Sequence, residues 1–140
     1  MKKDITLSNN LDEVPRLADF VDDVCMTAGI DMSSTMSLNL AMEEAVVNVI
    51  DYAYPAGTHG DIHITAETGD QCIKFIIRDS GIPFDPTTKG EVDTTLSAED
   101  RPIGGLGIHL VRQMMDSINY ERIGGQNVLT LRKNLQGKGF

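Results

Sequence analysis

From Met36 to Ala53 the chain carries a helical run that is apolar on most of its sides, built from Met36, Leu40, Ala41, Ala45, Val46, Val49, Ile50 and Ala53. A surface helix needs only one apolar stripe, so a helix with this breadth must be covered by other elements. The fold is therefore layered around this segment. Ser33 or Ser34 is the expected N-cap, and Pro55 with Gly57 ends the run. Glu44, Asn48 and Asp51 interrupt the apolar surface, and a polar group on a covered helix needs a partner or a cavity.

The flanking patterns supply the cover. Asp4 to Leu7 reads as a strand, and Leu11, Val14, Leu17, Val21, Val24, Cys25 and Ala28 recur at helical spacing until Gly29. Ile62, Ile64 and Ala66 alternate with polar residues, as do Ile73, Phe75 and Ile77 after a turn at Gly69-Asp70, which predicts a hairpin whose second strand ends at Asp79. From Ile82 to Ile103 apolar content falls and Pro83, Pro86, Gly90 and Pro102 appear, a stretch that reads as a lid over about residues 82–103. Leu106, Ile108, Leu110, Val111 and Met114 predict a third helix, followed by strands Ser117 to Ile123 and Asn127 to Lys133 joined at Gly124-Gly125. The order β-α-α-β-β-lid-α-β-β predicts fold class α+β, a two-layer α/β sandwich. Its sheet is expected to be mixed and mostly antiparallel, with three main helices on one face. The length of 140 residues fits one domain over 1–140.

Composition excludes several classes. No apolar run approaches the roughly 20 residues that cross a bilayer, so a soluble chain without a membrane partner is expected. The amino terminus turns polar at Ser8-Asn9-Asn10 before a signal-peptide core can form, which makes a cytoplasmic location the default expectation. With 12 Lys plus Arg against 21 Asp plus Glu, the net charge of -9 opposes direct binding of nucleic acid. Phosphate affinity must then be local. Arg112, Arg122, Arg132, Lys133 and Lys138 are spread over different elements and read as solvated positions. Cys25 and Cys72 read as buried thiols, and His59, His63 and His109 share no convergent spacing with Cys or with each other.

Glu44 and Asn48, four apart, share one helical face. Gly104-Gly105-Leu106-Gly107 opens the third helix and would aim backbone N–H groups at phosphate. Between them stands Asp79-Ser80-Gly81. A carboxamide can hold a metal, an aspartate can read a base and the glycines can receive a polyphosphate, which together suggest ATP.

These residues carry a resemblance that covers nearly the whole chain. Glu43-Glu44-Ala45-Val46-Val47-Asn48, Tyr52-Ala53-Tyr54-Pro55, Asp79-Ser80-Gly81-Ile82-Pro83-Phe84-Asp85-Pro86 and Arg101-Pro102-Ile103-Gly104-Gly105-Leu106-Gly107-Ile108 resemble the N, G1 and G2 boxes of the GHKL superfamily, which has the Bergerat ATP-binding fold. The nearest likeness is to its stand-alone anti-sigma-factor serine kinases.

The resemblance implies ATP and Mg²⁺ as cofactors, with Asn48 as the metal ligand through its side-chain oxygen. Glu44 would be the general base for an attacking serine hydroxyl, the competing assignment being a helix-surface carboxylate; Glu43 points about 100 degrees away. Asp79 would accept from the adenine amino group and so favour ATP over GTP. Gly81 would let the backbone approach the purine or simply make a turn. Where the superfamily has a second glycine this chain has Pro83, which stiffens the loop and removes an N–H donor. Gly104, Gly105, Leu106 and Gly107 would bind the phosphates, and Arg101 would reach the γ-phosphate or pair with Glu99 or Asp100. The implied partners are a sigma factor and an anti-anti-sigma (STAS-domain) protein phosphorylated on serine, with the kinase a homodimer. A nucleotide-dependent binding module without catalysis is the alternative. A detached histidine-kinase catalytic half is disfavoured, because no phosphoacceptor-histidine helix precedes the N box.

Overall fold

The computed structural model describes residues 1–69, 71–89 and 108–135. Strand β1 spans Lys2–Ser8, helix α1 Val14–Ala28 after a 3-10 turn at Leu11–Glu13, and helix α2 Met32–Asn48. The hairpin follows as β2 (Asp61–Gly69) and β3 (Cys72–Asp79), then helix α3 (His109–Met114), β4 (Ser117–Ile123) and β5 (Gln126–Asn134). The sheet order is β1-β2-β3-β5-β4.

Every strand pair in this sheet is antiparallel, which corrects the expected mixed sheet. The physical reason lies in the connections: short turns at Gly69 to Cys72 and Ile123 to Gln126 make hairpins, and β3 and β5, one from each hairpin, also pair antiparallel. Period-two alternation sorts the side chains. Ile62, Ile64 and Ala66, Ile73, Phe75 and Ile77, and Leu129 and Leu131 face Leu17, Val21 and Val24 of α1 and Leu38, Met42 and Val46 of α2 in one core. Thr6, His63 and Arg78 lie side by side on the other face, as their register requires. Phe75 is fully buried, and such a side chain contributes about 1.5–3 kcal/mol by leaving water.

The helix ends follow local chemistry. At Gly29, φ of 70° lets its N–H donate to the Met26 carbonyl while Ile30 N–H donates to Cys25, a paired stop that a side chain at Gly29 would strain. The N-cap of α2 is Asp31, not Ser33 or Ser34: its carboxylate accepts from Ser34 N–H at 3.2 Å. Three capping residues stand in near succession, and the first one wins. Past Asn48 the helix widens into a π turn, Val49–Ala53, ahead of Pro55. Cys25 is buried as expected, whereas Cys72 is half-buried at the start of β3 with its thiol donating to the Gly69 carbonyl. Helix α3 begins at His109; the expected start at Leu106, the turn residue Asp70 and the lid from 90 to 103 lie outside the described residues. The preceding stretch folds into a 3-10 turn at Pro86–Lys89.

Candidate functional site

Asn48 and Asp79 line one cavity, together with Asn127, Phe84, Ile108 and Val111. Asn48 reaches it as the last residue of α2, and Asp79 as the last residue of β3. Asn48 is 7% exposed, and its carboxamide makes no hydrogen bond among the described residues. The fully buried polar atom without a partner among the described residues is the Tyr52 hydroxyl; the Asn48 amide keeps some solvent contact, so its donor and acceptor capacity stays open to a ligand. The π turn starts at the very next residue, a local widening of the kind that often marks functional sites.

Asp79 sits in a dense network. Its Oδ1 accepts from Gly81 N–H and from Asn127 Nδ2, each at 2.9 Å. Oδ2 takes no hydrogen bond among the described residues, so it can receive an amino group. Burial pushes the Asp79 carboxyl above its ordinary range, against the two hydrogen bonds and the Arg122 charge that pull it down. Asn127 is the hub: Nδ2 also donates to the Ile82 carbonyl at 2.8 Å, while Oδ1 accepts from Phe84 N–H, the Tyr120 hydroxyl and Arg122 Nη1. Arg122 also donates to the Gly81 carbonyl at 2.9 Å, so it is part of the network rather than an ordinary solvated position. Arg112 likewise ties α3 to the Thr87 carbonyl.

Gly81 has a structural task that the turn reading did not contain. A Cβ there would collide with the carbonyl of Ala53, the last residue of the π turn, and the adjoining Ile82 N–H donates to that same carbonyl at 2.8 Å. The absent side chain lets the end of β3 press on the end of the α2 extension. Tyr54 reinforces the junction, its hydroxyl accepting from Ser80 N–H and donating to the Asp61 carbonyl.

Glu44, half-buried one turn before Asn48, accepts from Val111 N–H at 2.8 Å through Oε1, linking α2 to the first turn of α3. Glu43 is exposed, as its position around the helix requires. Arg101, Gly104, Gly105, Leu106 and Gly107 lie outside the described residues. Of the expected site residues, Asn48 and Asp79 share the cavity, Gly81 lines the neighbouring groove two residues past Asp79, and Glu44, one turn before Asn48, lines neither. Asn127, Tyr120 and Arg122 were missed as site residues. Their signal was present: Asn127 is in phase with Leu129 and Leu131 and so faces the core, where a polar side chain needs partners.

As it stands the cavity measures about 10 Å³, room for little more than a water. Its wall includes Phe84, whose ring stacks on Tyr52 with centroids 5.4 Å apart. A nucleotide would need a wider opening than this cavity presents. A wider, open groove of about 690 Å³ runs along the other side of Gly81, past Tyr54, His59, His63 and Arg122, but it lacks Asn48 and Asp79. Among the described residues no group of three or more His, Cys, Asp or Glu side chains is placed to hold a metal.

The sequence profile of the histidine kinase-like ATPase domain matches residues 7–133, so the chain belongs to that family of ATP-binding domains. Among its relatives, the serine/threonine-protein kinase BtrW of Bordetella bronchiseptica is 33% identical over 95 residues, covering 68% of this chain and 67% of that one. The serine-protein kinase RsbW of Halalkalibacterium halodurans is 28% identical over 134 residues, covering 88% and 81%. RsbW of Staphylococcus aureus is 29% identical over 127 residues, covering 82% and 80%. The solved structure of the RsbU and RsbW domains of a Mycobacterium tuberculosis protein shares the fold with a TM-score of 0.69 at 17% identity; the match covers 96% of this chain and 32% of that longer one. Among the described residues no helix is long and apolar enough to cross a membrane.

Proposed function

We propose that this chain is an anti-sigma factor with serine kinase activity, which binds ATP with Mg²⁺ in the cavity between α2, β3 and α3 and phosphorylates a serine of an anti-anti-sigma (STAS) protein. The observation that carries the reading is that Asn48, whose amide makes no hydrogen bond among the described residues, lines the same cavity as Asp79. In it, Asp79 Oδ2 accepts from the adenine amino group while Gly81 N–H and Asn127 hold the carboxylate in place. A guanine carbonyl at that position would oppose an acceptor, which selects ATP over GTP.

Asn48 Oδ1 would hold Mg²⁺, whose charge when bound neutralises the phosphates. Glu44 orients and deprotonates the attacking serine hydroxyl; its hydrogen bond from Val111 fixes Oε1 and leaves Oε2 for the substrate. Gly104, Gly105, Leu106 and Gly107 would cradle the phosphates and Arg101 would neutralise the γ-phosphate. Relatives named as serine-protein kinases support the reaction class. A homodimer, with a sigma factor as the competing partner, completes the proposal.

The decisive experiment is Glu44→Gln, chosen because an amide oxygen still accepts from Val111 N–H and so preserves the α2 to α3 contact. With Mg-ATP and a STAS protein, the variant should retain nucleotide binding by calorimetry and lose phosphoserine formation by mass spectrometry. Unimpaired transfer would remove Glu44 as the base. Nucleotide binding without transfer in the parent protein would favour a non-catalytic binding module instead.

A further inference from the structure

The breadth of apolar residues on α2 predicts a covered helix, but its outward side stays exposed and carries an apolar strip that the nucleotide site does not use. Met32 is 82% exposed, Met36 65% and Leu40 44%, at intervals of four residues. That spacing keeps them on one face over about 12 Å of helix. The same periodicity carries Glu43 and the half-buried Val47 along this face. Single exposed apolar residues are ordinary on a protein surface, but three in a row on one helix, two of them methionines, form a continuous and adaptable contact. Met26, 80% exposed near the end of α1, adds a third exposed thioether to the helical layer.

The charge around the strip selects what can cover it. From Leu11 to Asn48 the chain carries eight carboxylates and a single cation, Arg16, which is engaged by Glu13 at 2.8 Å. Asp22 of α1 is held beside α2 by a 2.8 Å hydrogen bond from Asn39 Nδ2, Asp19 is exposed one turn earlier, and Glu43 stands within the strip itself. A second copy of this chain would bring its own carboxylates against these. A cationic segment would find complementary charge at the rim and apolar contact along the middle.

We propose that the Met32, Met36, Leu40 strip of α2, with its Asp19, Asp22 and Glu43 rim, docks a basic amphipathic helix of a partner protein. The helix lies along the strip with its apolar side on the methionines and its lysine or arginine side chains over the carboxylates, reading the surface through i, i+3 and i+4 anchors. This proposal is independent of whether the cavity takes a nucleotide, since none of the strip residues lines it.

The test uses the full chain and a fluorescent Lys/Leu peptide of about 14 residues, long enough to follow the strip, with leucines at i, i+3 and i+4 spacing. Binding is read by anisotropy and its location by the ¹³C-methyl signals of the methionines, assigned by single Met→Leu substitutions. The expected result is saturable binding that shifts Met32 and Met36. Exchanging both Met36→Ser and Leu40→Ser should weaken it about tenfold, as should Glu43→Lys, since a factor of ten corresponds to roughly one half-buried apolar contact or one desolvated charge pair. These positions are exposed, and the parent's methyl shifts locate the peptide whether or not a variant folds. Equal affinity for a scrambled Lys/Leu peptide or for a Glu/Leu peptide would overturn the proposal. So would methyl signals that stay still as anisotropy rises, or that move with protein concentration alone, the signature of a second copy on the strip.

Discussion

Two asparagines line the same cavity and are buried to nearly the same degree, yet they live opposite lives. Asn127, 3% exposed, spends its carboxamide on Asp79, Ile82, Phe84, Tyr120 and Arg122. Asn48, 7% exposed, bonds to nothing among the described residues. Within a fold, a saturated polar hub specifies geometry, whereas an amide left open at a cavity marks where the molecule expects company. Asn127 belongs to the link between sequence and structure, and Asn48 to the link between structure and function.

The contrast can be broken by exchanging one property at a time. The largest effect is expected from Asn48→Ala, which should reduce phosphoryl transfer by about a hundredfold or more while changing folding stability by less than about 1 kcal/mol. Kinetics with a STAS substrate and urea unfolding measure the two halves; a large loss of stability would make Asn48 structural after all. Asn127→Ala should do the reverse first. It takes one of the two donors from the Asp79 carboxylate and strands the Phe84 N–H, costing about 2–3 kcal/mol in urea unfolding, and a neutral result would mean that water replaces the carboxamide without loss.

Tyr120→Phe removes one of the donors to Asn127 Oδ1 and leaves Phe84 N–H and Arg122 in place, so a cost of about 1 kcal/mol is expected. A cost equal to that of Asn127→Ala would show that the network stands or falls as a unit. The smallest effect concerns pH. Burial raises the Asp79 carboxyl above 3.8, so in the window between 3.8 and its folded value the folded state holds a proton that the unfolded state releases. The stability from this group is fully present below 3.8 and is lost as pH rises through the folded value. Comparing parent and Asp79→Asn across that window, the stability gap should move in favour of the variant as pH rises; a constant gap would contradict the assigned cause.

The sequence made one of these asparagines legible and hid the other. Asn48 stood out because it interrupts a helix that is apolar nearly all round, and Asp79 because it ends a strand of alternating isoleucines. Asn127 opens an equally regular strand, but its phase with Leu129 and Leu131 matters only once the sheet face is known, and Arg122 and Tyr120 gain meaning only from β4 lying beside β5. Helix α1 was readable to its final glycine, since positive φ has few other hosts. The N-cap of α2 was not, because Asp31, Ser33 and Ser34 all serve that role and propensity does not rank them. The π turn was also hidden: Pro55 and Gly57 announce that a helix stops, not that it widens first. Direction within each hairpin was legible from its turn, but the pairings of β1 with β2 and of β3 with β5 join strands far apart in sequence and had no local signal, which is why the expected mixed sheet proved antiparallel throughout. The glycine-rich opening of the third helix and Arg101, expected to serve the phosphates, lie outside the described residues and rest on their pattern.

Gly81 seated against the Ala53 carbonyl pins the start of the loop that carries Phe84 into the cavity wall. Any accommodation of a guest on that side then falls to the short stretch from Pro83 to Pro86, which brackets Phe84. The consequence is kinetic. Residence time, rather than tightness of grip, becomes the quantity that those two prolines govern.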